Sequence, residues 1–317
     1  MISKTQQIGA EFSGQRIDRA VAGMFPDYSR SRLQSWIRDG SLTLDGRCVM
    51  PKYRVAGGEI VRLEAEPELD EKIIAQDIPL DIVFEDDQIV VINKPAGLVV
   101  HPAAGHRDGT LQNGLLYFDP SMAAIPRSGI VHRLDKDTSG VMVVARSLKA
   151  HNALVSQLQD RSMRRIYRAV VHGATKKKGT VDAPIGRNPH DRQRMAVVTQ
   201  GRPAVSHYQL LQAFEDFCYI SVSLESGRTH QIRVHMRHIG HPLVGDLQYG
   251  QKIPGTVALS EIESKVIGGF PRQALHARTL KLLHPRTGAH CEFSAPLPED
   301  FSGLLTTLET RTPSGSK

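Results

Sequence analysis

His132-Arg133-Leu134-Asp135-Lys136-Asp137-Thr138-Ser139-Gly140-Val141-Met142-Val143-Val144-Ala145 is the stretch that decides the fold. A polar loop carrying two carboxylates, basic side chains and two hydroxyls closes on a glycine. It then runs into five apolar residues bounded by Arg146. Such a run is too short for a core helix and reads as a buried strand. A loop feeding a buried strand holds reactive groups at the edge of a rigid sheet. Arg133 two residues before Asp135 suggests a carboxylate kept ionised and aimed by positive charge. A polar turn that merely enters a strand is the competing reading, and the nine residues do not separate the two.

Outward from this loop, further strands are expected at Ile89–Ile92, Tyr167–Val171 and Phe217–Leu224. Helices are expected at about Leu148–Gln159 and Arg228–Ile239, the latter with Thr229 as cap and Gly240 as stop. Toward the N-terminus, Ser29 or Ser31 would cap a helix with Leu33, Trp36 and Ile37 on one face and Arg30, Arg32 and Arg38 on its polar side. Ser41 to Val49 reads as a hairpin across Asp45-Gly46, and Val55 to Leu63 as a further turn and strand. The pattern predicts a small α+β module over residues 14–66 and an acidic linker over 67–78. One large mixed α+β domain follows over 79–303, with a flexible tail over 304–317.

Charge supports a polyanionic partner. The chain of 317 residues carries 40 Lys+Arg against 33 Asp+Glu, for a net of +7. Residues 67–89 hold 1 basic and 8 acidic residues, whereas 90–317 hold 29 basic and 17 acidic. A large domain with that excess suggests nucleic acid first. No apolar run approaches the roughly 18 residues of a membrane span. The N-terminal residues lack a secretory core, and three separated cysteines argue against a disulfide framework, so a cytoplasmic protein is expected.

Several chemistries fail on spacing. His235, His238 and His241 recur every three residues without the Glu of a His-Glu-x-x-His site, and no phosphate-binding Gly-x-x-x-x-Gly-Lys-Ser/Thr loop occurs. His-Arg-Leu-Asp differs from a kinase catalytic loop by the inserted Leu134, and no Asp-Phe-Gly follows. Asp135 and Asp137, alternate residues of an extended chain, share a face only approximately, and no aromatic sugar platform accompanies them as a glycosidase would want. A second polar cluster, Gly227-Arg228-Thr229-His230-Gln231-Ile232-Arg233-Val234-His235, crowds basic groups at a helix start, where an arginine could pair with Asp135 or with a phosphate.

Taken in order, Asn93–Pro102, His132–Gly140, Tyr167, Gly227–His235 and Leu275-His276-Ala277 resemble the successive motifs of the RluA-type pseudouridine synthases. Gly14–Glu66 resembles the S4 RNA-binding module that some members carry. The resemblance implies an α+β fold: a small S4-type module followed by a large, mixed, mainly antiparallel sheet with flanking helices. It implies conversion of uridine to pseudouridine in RNA without metal or cofactor, and a monomer is the default expectation. Asp135 would be the catalytic nucleophile, Tyr167 would stack on the uracil and Arg233 would hold Asp135 ionised. Arg133 would replace the flipped nucleotide and Leu275 would pack beside the base. His132, Arg228 and His230 would orient the site or touch RNA, and Arg30, Arg32 and Arg38 would bind RNA from the S4 module. Residues Phe25–Arg32 are most similar to members acting on 23S (large-subunit) rRNA, free or within a pre-ribosomal particle. A tRNA-modifying relative or a non-catalytic ribosome-assembly factor are the rival readings.

Overall fold

The computed structural model describes residues 2–26, 28, 30–65, 73–102, 106–250 and 259–310. The chain divides into two compact units, Met1–Ile73 and Ile74–Lys317.

In the first unit, helices α1 (Ile17–Met24) and α2 (Arg30–Asp39) lie with three strands, β1 (Ile2–Gln7), β2 (Leu42–Leu44) and β3 (Ile60–Ala65). The sheet order is β1-β3-β2. The period-2 burial of β3 sends Val61, Leu63 and Ala65 inward. They join Leu33, Trp36 and Ile37 of α2, whose spacing puts them on one face, in a single core. Asp18, buried in α1, accepts the guanidinium forks of Arg16 and Arg30 and the Gln34 amide. Burial opposes its ionisation, but these donors prevail and bring its pKa down to about 2.

Two expectations are corrected here, and one of two cap candidates is set aside. The unit does not begin at Gly14, because β1 pairs antiparallel with β3 from Ile2↔Ala65 to Gln7↔Ile60. The Asp45-Gly46 turn does not join two strands of a hairpin. Only Leu44 and Arg47 bridge across it, while β2 pairs with β3. Ser31 lies within α2 rather than at its cap, and Ser29 falls outside the described residues.

The second unit is built on a nine-stranded sheet, β4 (Ile82–Glu85), β5 (Ile89–Lys94), β6 (Ser139–Ala145), β7 (Arg164–His172), β8 (Lys178–Asp182), β11 (Val205–Ala213), β12 (Phe217–Leu224), β13 (Leu275–Leu283) and β14 (His290–Ser294). Their order is β4-β5-β6-β13-β7-β12-β11-β8, with β14 paired to β13. A separate ribbon joins β9 (Ile185–Arg187) and β10 (Met195–Val197). Every pairing is antiparallel except β6 with β13, where His276 meets Ser139 and Ala277 meets Gly140. All seven residues of β6 are buried, which explains its unbroken apolar run. Gly140, at φ 116°, sits so close to β13 that a Cβ would stand 2.2 Å from the Ala277 carbonyl oxygen. Only glycine permits the loop to enter the sheet there.

Helices α3 (Leu111–Phe118), α4 (Leu148–Gln159), α5 (Gln231–His238), the single turn α6 (Glu261–Glu263) and α7 (Glu299–Thr310) complete the unit. α4 caps on Ser147 and buries Ala150 and Leu154 against β6 and its neighbours. Two boundary expectations fail. Residues 74–78 are not linker: the Asn113 side chain donates to the Ile74 carbonyl, and Gln76 exchanges hydrogen bonds with Asn113 and Gly109. The tail does not start at 304 either, since α7 buries Phe301, Leu304 and Leu308. The part of the expected linker over 67–72 and the tail over 311–317 lie outside the described residues. No helix among the described residues is long and apolar enough to cross a membrane.

Candidate active site

The parallel pairing of β6 with β13 brings two strand beginnings to one end of the sheet. The Asp135 loop leads into β6, Leu275 opens β13, and Tyr167 on β7 lies opposite Ala277. Tyr167 and Leu275 are both buried, and Asp135 keeps 19% of its side chain exposed. Burial holds the Tyr167 phenol above its ordinary range, and the charge of Asp135 adds to this while Arg165 opposes it. The phenol is therefore neutral at physiological pH.

Arg233 reaches from α5 to the loop. Its Nη1 donates to Asp135 Oδ2 at 3.1 Å, while Nε and Nη2 donate to the two oxygens of Asp246 at 2.7 and 2.9 Å. The Asp246 side chain is wholly buried, and its Oδ1 also accepts the backbone N–H groups of Gln248 and Tyr249. Burial works against its ionisation, but the Arg233 fork and these amides hold it below the usual carboxylate range. The Arg233 guanidinium lies 4.8 Å from the Tyr249 ring centroid. Asp246 thus fixes Arg233, and Arg233 fixes Asp135.

His230 guards the other oxygen. Its backbone is left-handed, φ 56°, at the cap of α5, a conformation that costs a non-glycine residue on the order of 1 kcal/mol. Nδ1 lies 2.8 Å from Tyr249 Oη, which accepts the Met195 amide at 2.8 Å. With that amide as donor, the Tyr249 hydroxyl proton is satisfied by donating to Nδ1. The ring proton then sits on Nε2, 3.9 Å from Asp135 Oδ1. Burial lowers the His230 pKa, with Asp135 opposing, so a neutral N–H faces the carboxylate.

Beneath the loop lies Lys94, 1% exposed, whose Nζ donates to the carbonyls of Pro95, Leu98 and Lys136 at 2.7–2.9 Å. Burial draws its pKa down to about 7, against the pull of Asp137 and Asp135. The Lys136 carbonyl also accepts the Gly97 N–H, so the residue after Asp135 is held from two sides. Arg272, paired with Asp300, donates to the Asp137 carbonyl, and Gln273 donates to Thr138.

Of the expected site residues, Asp135, Arg233 and His230 lie in direct reach of one another, with Tyr167 and Leu275 at the adjoining strand positions. Arg133 is exposed beside them. His132 accepts the Val143 amide on Nε2 at 3.2 Å and is held neutral by burial, its pKa pushed down to about 3. Arg228 donates to the Pro203 carbonyl and braces the loop. The helix expected from Arg228 begins at Gln231, whose side chain takes the Arg228 amide and the Ser226 hydroxyl; Thr229 caps nothing. In the first unit Arg30 is committed to Asp18, Arg32 lies over Trp36 and Arg38 is exposed. His235 bonds Ser206 and the Ala183 carbonyl, and His241 bonds the His172 carbonyl. The residues that the sequence reading passed over are Lys94, Asp246 and Tyr249. The pair Gly245-Asp246 shortly after the basic helix was the available signal; a buried lysine has none.

Comparison with known proteins agrees with this geometry. A family model described as RNA pseudouridylate synthase matches residues 88–238, and an S4 domain model matches 15–61. The chain is 55% identical over 308 residues to the ribosomal large subunit pseudouridine synthase D of Pseudomonas aeruginosa, covering 97% of this chain and 96% of that one. It is 49% identical to the protein of the same name from Escherichia coli, covering 97% and 94%. Among solved structures, human RNA pseudouridylate synthase domain containing 4 aligns with a TM-score of 0.55 at 27% identity, covering 74% of this chain and 94% of that one. A loop carboxylate held by a buried arginine, beside a buried tyrosine at the open end of a mixed sheet, is thus set in a chain whose relatives share nearly its whole length. The chain belongs to the RNA pseudouridylate synthase family and carries an S4 domain ahead of its synthase domain.

Proposed function

We propose that this chain isomerises uridines of 23S rRNA to pseudouridine, acting as a cytoplasmic monomer without metal or cofactor. The observation that carries the reading is the Asp135–Arg233–Asp246 chain of contacts, which holds one reactive carboxylate in place beside buried Tyr167. The large-subunit target is supported by the relatives named for the large ribosomal subunit at 49–55% identity.

In the reaction the C1′–N1 bond breaks, the uracil turns, C1′ bonds to C5, and the C5 proton leaves as N1 gains one. Asp135 starts it by attacking C1′ or by taking the C2′ proton. Tyr167 lies under the uracil, Leu275 packs at its edge, and Arg133 occupies the place that the flipped nucleotide vacates. Flipping costs a few kcal/mol of unstacking, which contacts elsewhere on the RNA must offset. His230 orients the nucleotide, and His132 and Arg228 hold the loops that carry Asp135 and His230. The S4 module, extended to include β1, and the synthase domain over 74–310 share the RNA, with Arg32 and Arg38 on its phosphates.

Tritium release from rRNA labelled with [5-³H]uridine tests the reading. Wild type releases tritium and Asp135→Asn releases none. Full release by Asp135→Asn would refute the nucleophile, and release from tRNA but not rRNA would refute the target.

A further inference from the structure

Arg165 is a buried cation that the chemistry above does not use. It is 9% exposed, its Nε is buried without a hydrogen-bond partner, and it enters no ion pair among the described residues. The two other buried arginines each face a carboxylate: Arg233 has Asp135 and Asp246, and Arg272 has Asp300. An arginine cannot shed its proton to escape burial. An unpaired buried guanidinium is therefore a standing cost unless an anion joins it.

Its position says where that anion would come from. β7 alternates, so Arg165 and Tyr167 share one buried face, and the charges of Arg165 and Asp135 both act on the Tyr167 phenol. The tip of the fork runs toward the surface: Nη1 lies 2.5 Å from where a Cβ on exposed Gly227 would stand. Gly227 begins the loop to His230, so the guanidinium emerges beside the Asp135 site. A second unpaired donor feels the same charge. Because His132 Nε2 accepts the Val143 amide, its ring proton is on Nδ1, which is buried and without a hydrogen-bond partner among the described residues.

We propose that Arg165 is a binding site for a backbone phosphate of the substrate RNA, its missing counter-ion being the phosphodiester next to the nucleotide that enters the Asp135 site. The planar fork suits two oxygens of one phosphate, which a lysine would meet only as a point charge. The site is thus uncompensated in the free protein and neutralised on binding. The proposal rests on the RNA-modifying reading above.

Arg165→Met, of similar length and uncharged, tests it, with Arg165→Gln as a second variant. Binding to an unmodified 23S rRNA transcript is measured at several salt concentrations, and Tm is measured without RNA. The expected result is an affinity about tenfold lower and a salt dependence shallower by about 0.7–0.9 in log K against log salt, the signature of one lost phosphate contact. The Tm of Arg165→Met should hold or rise, because an unpaired buried charge has gone. An unchanged salt slope in both variants overturns the proposal, as does a lower Tm in both with unchanged affinity, which would make Arg165 a structural strut. Wild-type protein that released no tritium would remove the enzymatic reading. The binding slopes would still decide whether Arg165 holds a phosphate.

Discussion

Replacing Asp246 by asparagine separates the placing of Asp135 from its chemistry. Asp246 touches no substrate atom in the proposed reaction, yet it takes two of the Arg233 hydrogen bonds, at 2.7 and 2.9 Å. Asparagine preserves the shape and one acceptor, so the Gln248 and Tyr249 amides keep a partner. Its NH₂ group must then meet a guanidinium N–H, donor against donor. The buried arginine is left with Asp135 as its one carboxylate partner among the described residues. Breaking a buried pair from one side costs about 3–5 kcal/mol, and 1 kcal/mol shifts the melting of a domain this large by about 2–4 °C. Tm should therefore fall on the order of 10 °C. Relieved of Asp246, the guanidinium is free to turn toward Asp135, and a displacement of about 1 Å at a reacting group costs on the order of 10²-fold in rate. Single-turnover tritium release should show that loss in the chemical step, with RNA affinity changed less than threefold. Wild-type turnover together with a Tm within about 2 °C of wild type would refute the positioning argument.

Other outcomes follow from groups around the site and in the first unit. Lys94→Met should destabilise the synthase unit by about 2–5 kcal/mol, because the Pro95, Leu98 and Lys136 carbonyls all lose their side-chain donor. Urea midpoints check the loss, and turnover should fall with it. Half-buried His132 and buried His276 are held neutral by desolvation of their rings, with pKa values down to about 3 and about 4. The unfolded chain therefore binds more protons below about pH 6.5, and stability present above that value is lost as pH falls toward 4. His276→Gln should flatten the fall in urea midpoint between pH 7 and pH 5, and an unflattened curve would contradict it. Arg38→Ala should reduce the salt slope of RNA binding with Tm unchanged. Arg30→Ala should chiefly lower the Tm of the first unit through its pairing with Asp18; the reverse pattern would exchange their roles.

Short-range patterns were the most legible part of the chain. The helix Leu148–Gln159 and the strand Phe217–Leu224 lie where cap, length and apolar pattern put them. β6 was readable because burial on both faces leaves an unbroken apolar run. β1 was not: it is a largely exposed edge strand, and Ile2–Gln7 has too little alternation to announce itself. The start of α5 was misplaced because His230 adopts a left-handed backbone that no propensity favours. The end of the synthase unit was misplaced because the polar residues of α7 obscure the buried Phe301, Leu304 and Leu308. At the site, the resemblance to successive family motifs marked Asp135, Tyr167, Arg233 and Leu275. What Lys94 and Asp246 contact is not written in the linear sequence, because burial and pairing decide it.

By itself, the sequence determined which chemistry the chain can carry. The residue types in His132–Gly140 and Gly227–His235, their order and the basic excess follow directly from covalent structure and local pattern. The tertiary structure alone decided what each charge faces. Pairing and burial depend on contacts between segments far apart in the chain, 98 residues for Arg233 with Asp135 and 42 for Lys94 with Lys136. Those contacts set the electrostatics, because a charge removed from water is governed by its nearest partners. Asp135 is held because Asp246 is buried beneath Arg233. Arg165 stands unpaired because, among the described residues, no carboxylate is folded against it.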